Sequence, residues 1–167
     1  NRSPSSPCRA ATTALLACRD TPPLNEPLTG HLARLSAGGV IAVLAVPASR
    51  TATDPFPDTA RLDAAGLHGT VTGVADAEVA GLLLVPALRD GVPVLLAVPA
   101  DGAGVQVRPR TSLDTTRRIC DVEFGDGGGG GGRGVEAAVL ASGEAAERAT
   151  SAALATAAGL LASEQLG

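Results

Sequence analysis

The chain has 167 residues, a length that suits one ordinary domain or a small domain with appendages. Its formal net charge is -4, and its thirteen basic residues are all Arg, scattered with no flanking aromatics to stack on bases, which argues against nucleic-acid binding. The hydrophobic fraction of 45% can build a core, but Phe56 and Phe124 are the only aromatics, so each core position buries little area.

Cys8, Cys18 and Cys120 are odd in number and lack CxxC spacing, so a disulfide framework is not expected and a reducing, cytoplasmic setting is. His31 and His68 stand in no metal-binding pattern, and no metal site is expected. The longest apolar stretches, residues 81–88 and 92–100, are separated by Arg89, Asp90 and Gly91, and each is too short for a spanning helix. Ser and Pro interrupt the N-terminus, so it does not read as a signal peptide. Its first residue is Asn, from which a truncated or processed chain is expected.

In chain order, residues 1–9 are Pro/Ser-rich and expected to be irregular. Residues 10–19 predict a short helix ended by Pro22 and Pro23, and residues 29–37 a second one, limited by Pro27 and stopped by Gly38 and Gly39. Residues 40–46 form an apolar run of strand length, and residues 47–60, with three prolines, read as a long loop. Further strands are expected at 67–71, 82–85, 92–98, 105–108 and 117–124, separated by turns such as Asp90-Gly91 and Asp101-Gly102-Ala103-Gly104. No helix-length segments lie between them, which favours an antiparallel barrel or sandwich over a parallel α/β sheet.

Residues 125–134 hold eight glycines and read as a linker. They lack the GKS/T ending of a phosphate loop. Beyond them Ser142 is the expected N-cap of a long helix, with Glu144 and Glu147 in its first turns and Ala146, Ala149, Ala153, Ala157 and Leu160 as its apolar stripe. The β region is the only packing partner that the sequence offers this helix.

The order of these segments resembles the acyl-CoA dehydrogenase family. Ile41 to Val46 look like the strand that enters its middle β-domain, and Leu67, His68, Gly69 and Thr70 match its Leu-Thr-Gly-Thr strand start. Val74 to Asp76 with Leu82 to Val85 resemble the next hairpin, Asp101 to Val105 its Pro-Gly-Val turn, and Leu113 to Arg118 with Val122 to Phe124 its closing strands. The ending Ser-Glu-Gln-Leu-Gly resembles the first helix of its C-terminal helical domain. The resemblance implies a mainly β fold with flanking α: a remnant of an N-terminal helical domain over residues 1–38, a middle β-domain over 39–124, a linker over 125–134, and a truncated first C-terminal helix over 135–167.

The family uses FAD to remove two hydrogens from the α and β carbons of an acyl-CoA thioester. A Glu takes the α proton and hydride passes to the flavin, which must lie within about 3–3.5 Å. That Glu belongs to the C-terminal helical domain, so the resemblance assigns no catalytic residue to this chain, and no activity is expected of these 167 residues. It implies an acyl-CoA thioester as the full-length substrate and homo- or hetero-oligomers made through helical domains. A non-catalytic partner subunit and a fragment without autonomous function are the alternatives.

Two flavin-proximal segments carry over. The family's Thr-Glu-Pro-x-x-Gly-Ser-Asp loop falls on residues 47–54, where Pro47 replaces the Thr and Thr53 with Asp54 keep the Ser-Asp character. Its Thr-Lys-x-Trp-Ile-Thr/Ser segment falls on residues 70–75. Gly73 stands in place of the aromatic, Val74 follows, and Ala75 lacks the hydroxyl. The resemblance thus assigns FAD contacts to Pro47, Thr53, Gly73, Val74 and Ala75, mostly through backbone groups.

Overall fold

The computed structural model describes residues 6–19, 26–112, 118–125 and 132–165. Two helices come first, α1 (Ser6–Arg19) and α2 (Glu26–Ser36). Eight strands follow: β1 (Ala42–Leu44), β2 (Ala60–Asp63), β3 (Gly66–Ala75), β4 (Leu82–Arg89), β5 (Val92–Pro99), β6 (Val105–Pro109), β7 (Ile119–Phe124) and β8 (Ala138–Ser142). The chain closes on α3 (Glu144–Gln165).

The strands form one sheet in the order β6-β7-β3-β2-β4-β5-β8, with β1 also paired to β4. Its pairings are antiparallel except those of β1 and β2 with β4, which are parallel. The β4–β5 hairpin pairs without a slip from Leu82↔Pro99 to Arg89↔Val92, around a turn in which Asp90 and Gly91 both have positive φ. Two positive φ angles in a two-residue loop match the twist of the flanking strands.

Alternation divides the hairpin between two cores. Leu82, Leu84, Leu95 and Ala97 face a layer made by α1 and α3, while Leu83, Val85, Val94, Leu96 and Val98 face the interior of the β unit. That interior is completed by Leu67, Val71, Val74, Cys120, Val122 and Phe124, all essentially inaccessible to solvent. Burying a side chain the size of Leu or Val contributes roughly 1.5–3 kcal/mol, so a doubly buried hairpin anchors both layers at once.

In the helical layer the contact is built from small residues. Ala10, Ala11, Ala14 and Leu15 of α1 share a buried cluster with Ala146, Ala149, Ala153 and Leu154 of α3. The expectation that only the β region was available to the C-terminal helix is corrected here: α1 is its main partner. Thr150, buried in that helix, donates its hydroxyl to the Ala146 carbonyl at 2.8 Å and leaves no unmet polar group. Cys18 and Cys120 are buried and free, and burial pushes the Cys18 thiol up to about 11.

Several expected boundaries move. The α1 helix begins at Ser6, so residues 6–9 are helical and not irregular, and α2 begins at Glu26, before Pro27. Pro7 and Pro27 sit in first turns, where a missing N–H costs nothing. The loop expected to run to residue 60 ends in β2, and β3 extends to Ala75. Residues 113–117, where the closing strand was expected to begin, lie outside the described residues, and β7 is described from Ile119.

The segment after the glycine run is a strand before it is a helix. Ser142 belongs to β8, paired with Val94, and does not cap α3. The Gly143 carbonyl takes the first helical bond, from the Glu147 N–H at 3.1 Å. The centre of the expected linker, residues 126–131, lies outside the described residues, but both flanks are tied to the sheet. Gly125 donates to the Gly104 carbonyl at 2.9 Å, Gly134 to that of Ala65 at 3.0 Å, and Val135 forms a bridge with Leu67.

Gly69 explains the Leu-x-Gly-Thr motif. Its φ is +119°, and a Cβ there would lie 1.8 Å from the Thr59 carbonyl oxygen. Gly69→Ala is therefore expected to destabilise the protein by about 3 kcal/mol or more. A urea unfolding midpoint equal to that of the wild type would show that β2 and β3 can separate there without cost.

Candidate functional site

After β1 the chain leaves the sheet at Pro47, which has no N–H to give. Ala48 donates its N–H to the Gly73 carbonyl at 3.0 Å, and the Arg50 N–H closes a turn on the Pro47 carbonyl at 2.9 Å. Arg50 is ion-paired with Asp54 across a local bridge between Thr51 and Asp54. The Thr51 and Thr53 hydroxyls lie 3.0 Å apart.

Opposite this turn β3 is irregular. Its register with β7 shifts between Val71 and Val74, and Gly73, in the shifted stretch, has a φ of +72°. The Gly73 N–H donates to Asp121 Oδ1 at 3.0 Å, while Arg110 Nε donates to Asp121 Oδ2 at 2.6 Å. Both polar groups of the Gly73 backbone are thus engaged, which corrects the expectation that its N–H remains available to a ligand. Val74 is wholly buried in the inner core, so its side chain cannot meet a ligand from the helical side.

Ala75 is placed differently. The Asp76 N–H donates to the Arg118 carbonyl at 2.7 Å, which makes Ala75–Ile119 a non-hydrogen-bonded pair of the β3–β7 ladder. In such a pair the N–H points away from the neighbouring strand. Ala75 also lines a cleft of about 310 Å³ together with Pro47, Arg50, Ile119, Leu154 and Leu161. The structure therefore brings Pro47 and Ala75 together at one cleft, walled by the β1–β2 connection on one side and α3 on the other.

Thr53 does not reach it. It lies in a separate depression of about 330 Å³ with Phe56, Pro93, Glu147 and Ser151. A further depression, about 640 Å³ between α2, the β5–β6 turn and the entry to β8, contains none of the expected site residues. Its charged and titratable groups are His31, Arg133 and Glu136.

The cleft at Ala75 tests whether an isoalloxazine fits. No aromatic lines it: Phe124 is in the inner core and Phe56 is at the other depression. Among the described residues its lining is otherwise apolar, the single charged residue, Arg50, is paired with Asp54, and no side-chain hydroxyl faces it. Its volume is at the low end of the roughly 300–1,000 Å³ usual for ligand pockets. The residues present do not fit a flavin ring as a self-sufficient site. Sequence reasoning missed Asp121 and Arg110; the available signal was the alternation of Ile119 to Phe124, which puts Asp121 and Glu123 on the polar face of a strand beside Arg108 of β6 and Arg110 just beyond it.

No protein-family model matches the chain, and no curated protein does. Solved structures do. A glutaryl-CoA dehydrogenase from Mycobacterium smegmatis in complex with FADH2 aligns with a TM-score of 0.64 at 19% identity, over 90% of this chain and 39% of that one. The Tcur3481-Tcur3483 steroid ACAD aligns with a TM-score of 0.60 at 24% identity, over 87% of this chain and 38% of the other. The ChsE4-ChsE5 complex from Mycobacterium tuberculosis gives 0.60 at 14% identity, over 96% and 40%. The chain therefore has the fold of the acyl-CoA dehydrogenase middle β-domain with the start of its helical domain, and it spans about two fifths of the length of these structures. Among the described residues no helix is long and apolar enough to cross a membrane.

His31 offers a check on the α2 docking seen here. Burial and the neighbouring Arg34 charge lower its pKa from the ordinary 6.5. A folded pKa below the unfolded one makes the unfolded state the stronger proton acceptor, so stability is lost as pH falls below 6.5 toward the folded value. An NMR titration is expected to place the His31 midpoint below 6.5, and His31→Gln is expected to remove that part of the pH dependence. A midpoint at or above 6.5 would mean that α2 is not packed as described.

Proposed function

We propose that the chain is the middle β-domain portion of an acyl-CoA dehydrogenase-like flavoprotein subunit, whose full-length activity is α,β-dehydrogenation of an acyl-CoA thioester. The observation that carries this reading is the fold, shared with a glutaryl-CoA dehydrogenase and a steroid ACAD over 90% and 87% of this chain. The connection leaving β1 and the far end of β3 lie side by side next to the helical layer, with Pro47 and Ala75 both in the lining of the cleft. FAD is the cofactor this reading expects of the whole protein, since structures with this fold include complexes with FADH2 and FAD.

A second reading, a non-catalytic structural partner in a heteromeric acyl-CoA dehydrogenase, is favoured by the composition of that cleft. Ala75 lines it where the family's segment has a hydroxyl, and nearby Gly73 stands where that segment has an aromatic ring. The ChsE4-ChsE5 structure, with the same fold, is a complex of two named chains. In either reading the 167 residues do no chemistry alone. The base that would take the α proton is assigned by resemblance to the C-terminal helical domain, and Glu144 and Glu147 lie in the first turn of α3, outside the Ala75 cleft.

Two assays test this. The purified chain, given FAD, an acyl-CoA thioester and an artificial electron acceptor, is expected to show no oxidation. Turnover would refute the assignment of the base to another domain. A polypeptide extended by a C-terminal helical domain, or a complex with a flavin-bearing partner subunit, is expected to oxidise an acyl-CoA. Absence of that activity in both would overturn the acyl-CoA dehydrogenase reading.

A further inference from the structure

The Gly73 backbone is the centre of a relay that crosses the cleft wall. Arg110, just beyond β6, holds Asp121 of β7; Asp121 holds the Gly73 N–H of β3; and the Gly73 carbonyl holds the Ala48 N–H of the β1–β2 connection. Three strands and the opposite lip of the cleft are fastened through one residue. Its φ of +72° is a left-handed conformation that bulky side chains adopt only under strain.

We infer that this cleft is closed to a flavin ring by its backbone, and that restoring the missing side chains would not reopen it. The inference rests on the acyl-CoA dehydrogenase-like reading above, and it deepens that reading's partner-subunit form. A Cβ on Gly73 would meet nothing within 4 Å, so the first carbon of a side chain has room there. The obstacle is conformational. To carry a Trp without strain residue 73 must leave the left-handed region, and the rotation of φ that this requires swings its N–H off Asp121 and its carbonyl off Ala48. The wall that would hold the ring is then no longer fastened. Conversely, while the relay stands, the Gly73 N–H is already spent on a carboxylate. Of the three backbone donors at residues 73–75, Ala75 supplies the one that lies at the cleft and is turned away from β7. A flavin edge needs several such donors in addition to a stacking face. A cleft wall fastened in this way suits a subunit that contributes packing surface.

The test compares the wild type with Ala75→Ser, the double variant Gly73→Trp/Ala75→Ser, Gly73→Ala, Gly73→Asn and Asp121→Asn. Each is titrated with FAD by fluorescence and melted with and without FAD in large excess. The wild type, Ala75→Ser and the double variant are expected to give no saturable fluorescence change and no rise in Tm with FAD. Gly73→Ala and Asp121→Asn are expected to lower Tm by about 4 °C or more. Gly73→Asn is expected to lose clearly less, because Asn tolerates the left-handed conformation. Saturable FAD binding by the wild type would overturn the inference while leaving the acyl-CoA dehydrogenase reading standing. Binding by the double variant alone would overturn it in favour of simple side-chain loss. Should the double variant fail to fold, equal losses for Gly73→Ala and Gly73→Asn, or an unchanged Tm for Asp121→Asn, would overturn it on stability alone.

Discussion

The β4–β5 hairpin is the constraint on which the rest of the structure depends. Its two strands are buried on both faces, so each successive side chain must satisfy one of two different cores. Even positions of β4 such as Leu82 and Leu84 belong to the helical layer, and odd ones such as Leu83 and Val85 to the β interior. A slip of one residue would exchange the two sets. The tight Asp90-Gly91 turn fixes the register, and every other pairing in the sheet is counted from it. β1 and β2 add to one side of β4, β8 adds to β5, and α3 follows directly from β8 to lie over the face that the hairpin presents.

A core assembled from Ala, Val and Leu can still be dense because its helices come close. The α1–α3 contact relies on Ala at more than half of its buried positions, which lets backbones approach in place of large side chains interlocking. Each Ala contributes little transfer energy, so the stability of this layer rests on the length of the contact and on the leucines of β4 and β5 beneath it. That explains why α1, a fourteen-residue helix, holds position in a chain with so few aromatics.

How much of this was legible in the sequence follows from the same physics. The strands of the hairpin, β6 and β7 announced themselves by apolar runs or alternation between turn residues, and the structure has them within a few residues of those limits. β8 did not. Ala138, Val139, Leu140 and Ala141 include strong helix formers, and their strand conformation is imposed by pairing with β5, a tertiary effect that local propensity does not contain. β2 was hidden for another reason: Ala60, Arg61, Leu62 and Asp63 are too few and too charged to stand out, and become a strand by sitting between β3 and the end of β4. The site divides in the same way. Pro47 and Ala75 line one cleft, whereas Thr53 lies in a different depression, beyond the bridge between Thr51 and Asp54.

The least legible feature is the most consequential for the cleft. Gly73 and Asp121 are 48 residues apart, and nothing local in either segment marks them as partners. What links them is the inner core. Val74 must point inward to join Val71, Cys120 and Val122, so the residues on either side of it must face the helical side or the sheet plane. The register shift just before Val74 sets two residues of β3, Thr72 and Gly73, against Asp121 alone on β7, and the Gly73 N–H bonds that side chain in place of a ladder partner. An unpaired backbone N–H next to a core strand costs about as much as a lost hydrogen bond unless something satisfies it. The carboxylate of Asp121, on the polar face of the neighbouring strand, is the group within reach, and Arg110 keeps it oriented. A demand for packing inside the β unit thereby determines the polar geometry outside it, and the cleft takes its present form from the core beneath it.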